Sequence, residues 1–381
     1  MIERFHHLLD GNSPVPASYR PQFFRLQASA EDRKSLAALL ESGAVYRIND
    51  ALPEQLRELL KLRYPTKRIA ASEYDALIRA HVGPTAMEDY GVWVFYPWSG
   101  RLVHLLDEAE YAEVRTNRNK HKITAEEQAV IGSKRIGVVG LSVGQSVALA
   151  LAMERSFGEL RLADFDVLEL SNMNRIRSSV HEMGQLKVVN TAREIAEIDP
   201  FLKVTVFPNG LTEDNIDAFF EEGGKLDMLM EECDSLEIKI RSRIKAKELR
   251  IPVLMDTSDR GMVDVERFDT EPDRELLHGL ARGLDVNRLS EMTPQEKLPF
   301  LMQLAGYESL SPRMKASLPE LGKTLTAWPQ LATSVILGGA VVAELARKIF
   351  TGVDVASGRY YFDPEEVLKR NTLTAHSAPQ A

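Results

Sequence analysis

The chain has 381 residues, of which 44% are hydrophobic and 27% are charged, and its formal net charge at pH 7 is −9. This length accommodates one large domain with a smaller one, and the composition is that of a soluble globular protein. The acidic balance argues against a nucleic-acid partner. Because the sequence shows neither a bilayer-spanning apolar run nor the pattern of a secretory signal, we expect a cytoplasmic protein without a membrane partner.

Cysteine and histidine usage limits the metal sites that the chain can build. The single cysteine, Cys233, excludes an internal disulfide and a zinc site made from paired cysteines. The eight histidines do not show the H-x-x-x-H or H-E-x-x-H spacing of a zinc site. We therefore expect no zinc, whereas a Mg²⁺ ion that arrives with a nucleotide needs only one or two carboxylates.

Residues 1–108 are predicted to form a smaller accessory domain of the α+β class. Helical patterns cover Ala30–Leu40 and Ala51–Leu62. The aromatic run Gly91–Tyr96 is followed, after a short turn, by the apolar run Arg101–Leu106. This pair of runs predicts a β-hairpin.

From Lys134 onward, short apolar strands alternate with helical segments, as is typical of a parallel α/β sheet. Five strands are predicted, at Arg135–Val139, Leu160–Ala163, Val204–Phe207, Asp227–Met230 and Ile251–Met255. Helices are predicted over Gln145–Arg155, Glu182–Ile198 and Leu236–Leu249. The predicted fold of residues 109–381 is a Rossmann-like, mostly parallel sheet with helices on both faces.

The junction after the first predicted strand has the composition of a phosphate-binding loop. It reads Gly140-Leu-Ser-Val-Gly144 and leads directly into a helix. Backbone N–H groups and a helix N-terminus can bind phosphate in such a turn. Ser142 stands where a dinucleotide fingerprint has its second glycine, so a tight turn without a ligand is an alternative for this motif alone.

Three further side chains fit a nucleotide site. Asp164 ends the second predicted strand, 24 residues after Gly140, where an acidic side chain accepts hydrogen bonds from the ribose of NAD or ATP. Arg175 and Lys187 follow it, and displacement at an α-phosphorus needs cations to neutralise the leaving pyrophosphate. A hydride-transferring enzyme has no such need. The pattern favours nucleotidyl transfer, with an NAD(P)-binding oxidoreductase or a non-catalytic nucleotide-binding subunit as alternatives.

The run from Asp164 through Asn172 to Arg175, followed by Gly184-Gln-Leu-Lys187, resembles the ThiF/MoeB adenylyltransferases, relatives of the ubiquitin-activating enzymes. The resemblance extends over roughly residues 111–365. It implies that Asp164, Asn172, Arg175 and Lys187 bind ATP, together with Gly140, Ser142 and Gly144 of the preceding loop.

Two more segments carry the resemblance. Arg115-Thr-Asn-Arg118 is similar to the family's R-Y-x-R, whose last arginine reaches the ATP phosphates of the partner in a homodimer. Asp227–Ser235 is similar to D-L-V-L-D-x-T-D-N, with Glu231 and Ser235 as departures from the usual Asp and Asn. The resemblance therefore implies a homodimer in which Arg118 acts in trans and Asp234 binds Mg²⁺ or the reacting phosphate.

The resemblance implies an enzyme that uses ATP and Mg²⁺ to activate a carboxylate as an acyl-adenylate, with Arg118, Arg175, Lys187 and Asp234 in catalysis. Relatives that form a thioester carry a cysteine after the fifth strand, and no cysteine lies in residues 234–381. We therefore expect activation without a covalent thioester. The carboxylate could be the C-terminus of a carrier protein or peptide, or a small acid, and residues 256–325 are expected to shape its site.

Overall fold

A computed structural model describes residues 18–289 and 291–369 of the chain. These residues divide into two compact units. One unit contains the described residues up to Glu126 together with Ala192–Leu202, and the other contains residues 127–191 and those from Lys203 onward. The domain boundary that the sequence predicts after residue 108 stays a prediction.

The first unit has a four-stranded sheet in the order β1-β3-β4-β2. Its strands are β1 (Gln22–Phe24), β2 (Arg47–Asp50), β3 (Val92–Tyr96) and β4 (Arg101–Leu105). Strand β3 pairs antiparallel with β1 and β4, and β4 pairs parallel with β2. The helices are α1 (Ala30–Glu41), α2 (Leu52–Arg63), α3 (Tyr74–Val82) and α4 (Glu108–Arg115). The predicted hairpin, both predicted helices and the α+β class are confirmed.

Helix α2 shows how the sequence forms the core of this unit. Leu52, Leu56, Leu59 and Leu60 recur at the spacing that places side chains on one face of a helix, and all four are buried. They pack with apolar residues of α3. A single amphipathic pattern therefore accounts for both the helix and its packing.

The second unit is built on a seven-stranded sheet in the order β11-β10-β9-β8-β5-β6-β7. Its strands are β5 (Arg135–Val139), β6 (Glu159–Ala163), β7 (Lys203–Phe207), β8 (Met228–Glu231), β9 (Val253–Asp256), β10 (Met262–Glu266) and β11 (Gly358–Tyr361). Strands β5 to β9 are parallel, whereas β10 runs antiparallel to both of its neighbours. The five predicted strands are confirmed, and β10 is a strand that the sequence pattern did not predict.

Helices cover this sheet on both faces, as predicted. Helix α5 (Ala125–Ile131) precedes the sheet and is followed by α6 (Gly144–Glu154), α7 (Lys187–Ile198), α8 (Ile216–Glu221), α9 (Leu236–Glu248), α10 (Pro294–Ala305), α11 (Pro312–Ser317) and α12 (Ala332–Phe350). On β5, Gly137 faces Phe219 of α8, while its neighbour Val138 faces Gly144 of α6. Successive residues of a strand point to opposite faces, so the two helices lie on opposite sides.

Helix α7 begins five residues later than its predicted start at Glu182. Residues Val180–Glu182 form a 3₁₀ turn instead, and Gly184 then adopts a left-handed φ of +84°. A helix cannot run through that conformation. The helix therefore starts at Lys187, which places this lysine at the first turn.

Small residues allow α12 to approach α6 closely. A Cβ atom added at Gly339 would lie 2.4 Å from the Oγ atom of Ser146. Contacts of that length are repulsive, so only glycine fits at this crossing.

Among the described residues, no helix combines the length and the apolar character that crossing a membrane requires.

Candidate functional site

A cleft opens at the carboxyl edge of the second unit's sheet, next to the central strands β5 and β8. The chain passes from β5 to β6 and β7 on one side and returns to β8 and β9 on the other, which makes the β5–β8 boundary the topological switch point. The cleft has a volume of about 130 Å³. Its lining residues are Val139, Gly140, Ser142, Ala163, Asp164, Phe165, Asp166, Gly210, Leu211, Glu232, Cys233, Asp234, Ser235 and Ile238.

The loop after β5 forms one wall of the cleft and requires glycine at its first position. Gly140 has a φ of +86°, and a Cβ atom there would lie 2.7 Å from the backbone nitrogen of Cys233. The loop ends where α6 begins at Gly144, and the N-cap residue Val143 makes no side-chain capping bond. The first N–H groups of α6 therefore have no capping side chain and can bind an anion.

Asp164, at the end of β6, is held in one orientation by backbone donors. Its Oδ2 atom accepts a hydrogen bond from the N–H of Leu141 at 2.6 Å, and its Oδ1 atom accepts one from Asp166 at 2.8 Å. Burial raises the pKa of Asp164, and these two donors oppose the increase. The carboxylate thus ties the loop after β5 to the loop after β6.

Lys187 brings a buried positive charge to the same loops. Its Nζ atom lies 2.8 Å from Oδ2 of Asp166 and 3.4 Å from Oγ of Ser142, and its side chain is 6% exposed. Ser142 also lines the cleft. The structure therefore places Lys187 beside the glycine loop.

Arg175 lies close enough to Asp234 for their charges to interact. Burial lowers the pKa of Arg175, and the negative charge of Asp234 opposes this effect. The Nη1 atom of Arg175 donates to Asn174 at 3.0 Å. Its Nε atom is buried and has no hydrogen-bond partner within the described part of the chain. One donor of this arginine is therefore unsatisfied within the described residues.

Two predicted site residues are placed differently from the rest. Asn172 is buried in a 3₁₀ turn, where its Oδ1 atom accepts a hydrogen bond from the N–H of Glu169 at 3.0 Å. This bond fixes the turn that leads to Arg175. Arg118 belongs to the other compact unit and is exposed in the 3₁₀ turn Asn117–Asn119. The catalytic and binding roles of all these residues stay predictions.

The apolar part of the cleft was missed by sequence reasoning. It includes Phe165, Gly210, Leu211 and Ile238. A Cβ atom at Gly210 would lie 2.8 Å from the ring of Phe165, so glycine is needed for this contact. The sequence contains one signal for this apolar patch, the Asn209-Gly210 turn after β7. Loops at the carboxyl ends of parallel strands meet at one edge of the sheet, so this turn is expected near the loop that follows β6.

Cys233 also lines the cleft, and its thiol is a poor nucleophile at neutral pH. Burial raises the pKa of Cys233 well above its ordinary value, and the carboxylate of Glu231 adds to this effect. Since the thiolate is the reactive form, this environment suppresses thiol chemistry.

The solved structures that resemble this chain include two proteins that align over nearly their whole length. The E. coli tRNA N6-threonylcarbamoyladenosine dehydratase TcdA, in complex with AMP, is 19% identical with a TM-score of 0.46, covering 64% of this chain and 96% of that chain. PaaA is 18% identical with a TM-score of 0.48, covering 82% of this chain and 93% of that chain.

Relatives in sequence include proteins of very different lengths. Uncharacterized protein MT1398 of Mycobacterium tuberculosis (strain CDC 1551 / Oshkosh) is 44% identical over 287 residues, which are 75% of this chain. The match covers only 40% of the length of MT1398. The tRNA threonylcarbamoyladenosine dehydratase of Bacillus subtilis (strain 168) is 26% identical over 249 residues, which are 61% of this chain and 95% of that protein.

The family follows from a match over most of the sequence. The profile described as "ThiF family" matches residues 115–377, a range that contains the glycine loop, Asp164, Arg175, Lys187 and Asp234. This range is well over half of the 381 residues. The chain therefore belongs to the ThiF family.

Proposed function

We propose that this protein is an ATP-dependent adenylyltransferase that activates a carboxylate as an acyl-adenylate and releases pyrophosphate. The observation that carries the proposal is a glycine loop with an uncapped helix start at one switch-point cleft, together with two cations that act on residues lining it. Arg175 interacts electrostatically with Asp234, and the Nζ atom of Lys187 lies 3.4 Å from Oγ of Ser142. A nucleoside triphosphate needs both N–H donors and cations, because its phosphates carry several negative charges. Membership of the ThiF family supports the same reading.

The cleft offers complementary positions for the parts of ATP. In this proposal the Asp164 carboxylate binds the ribose hydroxyls, because its oxygens lie at the end of β6. The apolar patch of Phe165, Leu211 and Ile238 borders the same cleft and suits the adenine ring. The N–H groups at the start of α6 bind phosphate oxygens.

The proposed reaction needs electrostatic stabilisation and no general base. A substrate carboxylate is already ionised at neutral pH, and one of its oxygens attacks the α-phosphorus of ATP. A new C(O)–O–P bond forms while the bond between the α-phosphorus and the pyrophosphate oxygen breaks. Arg175 and Lys187 stabilise the negative charge that develops on the leaving pyrophosphate, each contributing about 2–4 kcal/mol to the transition state.

Asp234 has the chemistry of a Mg²⁺ ligand. Its side chain is exposed at the rim of the cleft, close to Arg175. When bound there, Mg²⁺ would supply further positive charge against the phosphates. In a homodimer, Arg118 of the partner subunit completes the set of cations in this proposal.

Direct transfer from the adenylate to an acceptor is the proposed second step. No cysteine follows Asp234 in the sequence, and the thiol of Cys233 is held in its neutral form by burial. The adenylate carbon is therefore attacked by an amine, a thiol or a sulfide of a partner, and AMP leaves. The carboxylate substrate is the C-terminus of a carrier protein or peptide, or a small acid.

The direct test is exchange of radiolabelled pyrophosphate into ATP with candidate carboxylates. Wild-type protein should support exchange with at least one carboxylate, and Asp234→Ala and Arg175→Ala should each lower it about 100-fold. The matched control is Asp273→Ala, which removes an exposed carboxylate far along the chain from the cleft residues. Full exchange activity in Asp234→Ala or Arg175→Ala would contradict the proposed roles.

A binding measurement separates this proposal from its alternatives. ATP should raise the melting temperature of the protein and NAD(H) should not, because Arg175, Lys187 and Asp234 have no joint purpose in hydride transfer. A shift with NAD(H) alone would favour an oxidoreductase. ATP binding without exchange for any carboxylate would favour a non-catalytic subunit.

A further inference from the structure

Three fully buried charged side chains are joined by ion pairs beside the cleft. Arg243, on α9, donates from Nε to Oε2 of Glu266 at 2.6 Å and from Nη1 to Oε2 of Glu231. The side chains of all three are 0% exposed. Glu231 ends β8 and Glu266 ends β10, so this arginine joins two strands that are separated by β9.

One end of this chain of ion pairs reaches the loop that carries Asp234. The Oε1 atom of Glu231 accepts a hydrogen bond from the N–H of Cys233 at 2.9 Å. Its Oε2 atom also accepts one from Nζ of Lys239 at 2.7 Å. The Glu231 carboxylate therefore sets the backbone direction one residue before Asp234.

Glu266, at the other end of this chain of ion pairs, bonds to a turn at Leu277. The Oε1 atom of Glu266 accepts a hydrogen bond from the N–H of Leu277 at 2.5 Å. Leu277 and His278 have left-handed φ values of +51° and +58°, which side chains other than glycine rarely adopt. Such a turn persists only when its surroundings hold it. Leu277 is buried in a cluster that includes Leu236 and Ile240 of α9.

Stability alone gives a weak reason for burying these charges. The two carboxylates are balanced by Arg243 and Lys239, but the cost of removing four charges from water largely offsets their attraction. Burial alone would raise the pKa of Glu231, yet the nearby cations Lys239 and Arg243 lower it to about 2. The group therefore stays ionised, and a fixed ionic arrangement restricts the conformations available to the segments it joins.

We propose that Arg243 and Glu266 are positioning residues, which act through Glu231 to fix the Glu231–Asp234 segment and thereby place the Asp234 carboxylate in the nucleotide site. Helix α9 is the element that connects the two ends. Its N-cap residue Ser235 and its first-turn residue Ile238 line the cleft, while Leu236 and Ile240 pack on the Leu277 turn. The role of Asp234 itself rests on the proposed adenylyltransferase function.

The test uses Cys233 as a reporter that does not depend on activity. It is the single cysteine of the chain, lies in the loop in question and is partly exposed. Glu266→Gln keeps the shape of the side chain but removes the charge that anchors Arg243. We expect Glu266→Gln to speed iodoacetamide labelling of Cys233 at least about fivefold under native conditions. Arg243→Lys should have the same effect, because a lysine ammonium lacks the fork that bonds both carboxylates.

The matched control is Glu159→Gln, which neutralises a buried carboxylate of β6 in the same sheet. The Glu159 side chain is 8% exposed and pairs with Arg161 and Lys203. We expect its labelling rate to stay within about twofold of wild type. Equal acceleration in Glu159→Gln and Glu266→Gln would overturn the proposal, since general loosening of the sheet would then explain both. Unchanged labelling in Glu266→Gln and Arg243→Lys would also overturn it.

Exchange kinetics then connect the loop to catalysis. In Glu266→Gln we expect kcat for ATP–pyrophosphate exchange to fall about tenfold or more, while the KM for ATP changes less than about threefold. Accelerated labelling without any loss of kcat would refute the link to Asp234. If the wild-type protein shows no exchange with any carboxylate, the proposed function fails, whereas the labelling rates still decide whether Glu266 and Arg243 hold the loop.

Discussion

Gly140 combines a backbone requirement with a steric one, and substitution can separate the two. Alanine at this position must adopt a φ of +86° and place its Cβ atom 2.7 Å from backbone atoms of Glu232 and Cys233. We expect Gly140→Ala to lower the free energy of unfolding by about 2–4 kcal/mol and to weaken ATP binding at least about tenfold. Urea unfolding and calorimetric titration with ATP measure the two effects.

Gly352 provides the matched control for this substitution. Its φ is +81°, and a Cβ atom there would have no heavy atom within 4 Å. Gly352→Ala should therefore cost only the strain of the left-handed backbone, about 1 kcal/mol, and leave ATP binding unchanged. Equal losses of stability and of ATP binding in both variants would show that the close approach of Gly140 to Glu232 and Cys233 has no effect.

Asp256 makes the stability of the protein depend on pH. Both of its carboxylate oxygens are buried and lack a hydrogen-bond partner within the described residues, while its backbone N–H donates to Glu232. Burial raises the pKa of Asp256 from 3.8 to about 8. Between these values the folded state holds a proton that the unfolded state releases. The stability contributed by this proton is therefore complete below about pH 4 and is lost as pH rises through 8.

The substitution Asp256→Asn should reduce that dependence, because an amide stays neutral at every pH. Glu232, whose pKa burial and the Asp256 charge also raise, then titrates alone. We expect the variant to exceed the wild type in free energy of unfolding by about 2 kcal/mol at pH 9, with a smaller difference at pH 6. The exposed Asp273→Asn serves as the control. Urea unfolding at several pH values is the measurement, and a pH-independent difference between variant and wild type would contradict the assignment.

At the scale of whole elements, the crossing of α6 and α12 sets two opposing effects against each other. Alanine in place of Gly339 would gain about 1 kcal/mol in helix propensity. Its Cβ atom would, however, lie 2.4 Å from Oγ of Ser146 and 2.8 Å from the backbone of the same residue. Because the backbone cannot rotate away, we expect overpacking to dominate and Gly339→Ala to destabilise the protein by about 2–3 kcal/mol.

Thermal or urea unfolding checks this result. Ala340→Gly, at an exposed position of the same helix, measures the difference in helix propensity between alanine and glycine without a packing effect. The double variant Ser146→Gly with Gly339→Ala should recover only part of the loss, since the clash with the backbone remains. A gain in stability for Gly339→Ala alone would mean that α12 is not packed against α6 as described.

The strands show which elements the sequence could predict. The five parallel strands are short apolar runs whose character is visible locally, and each was placed within two residues. Strand β10 reads Met-Val-Asp-Val-Glu, yet all five residues are buried. Asp264 and Glu266 are accommodated by Arg359 and Arg243, which are distant in sequence. A local pattern cannot show such partners, so this strand was missed.

The candidate site divides in a similar way. Its polar residues were predicted, because Asp164, Arg175, Lys187 and Asp234 occur in recognisable motifs. Its apolar residues were not, since Phe165 and Leu211 look like ordinary core residues until the sheet brings their loops to one edge. Charged site residues are therefore easier to predict from sequence than the apolar surface that lies beside them.

At the scale of the whole molecule, the proposed homodimer predicts a specific pattern of complementation. If Arg118 acts in the active site of the partner subunit, Arg118→Ala and Asp234→Ala damage different sites of a mixed dimer. One site then has Asp234 in its own chain and receives Arg118 from the partner, and the other site has neither. Random reassortment of equal amounts makes half of the dimers mixed, so about a quarter of the wild-type sites should be intact.

We expect each single variant to be nearly inactive in ATP–pyrophosphate exchange and the reassorted mixture to recover about a quarter of the wild-type rate. Mixing Arg118→Ala with the Arg118→Ala/Asp234→Ala double variant is the control, because no dimer in that mixture contains an intact site. Light scattering should give twice the chain mass of 42.7 kDa for all variants. A dimer whose mixture stays inactive would show that Arg118 acts within its own chain, and a monomeric mass would exclude action in trans altogether.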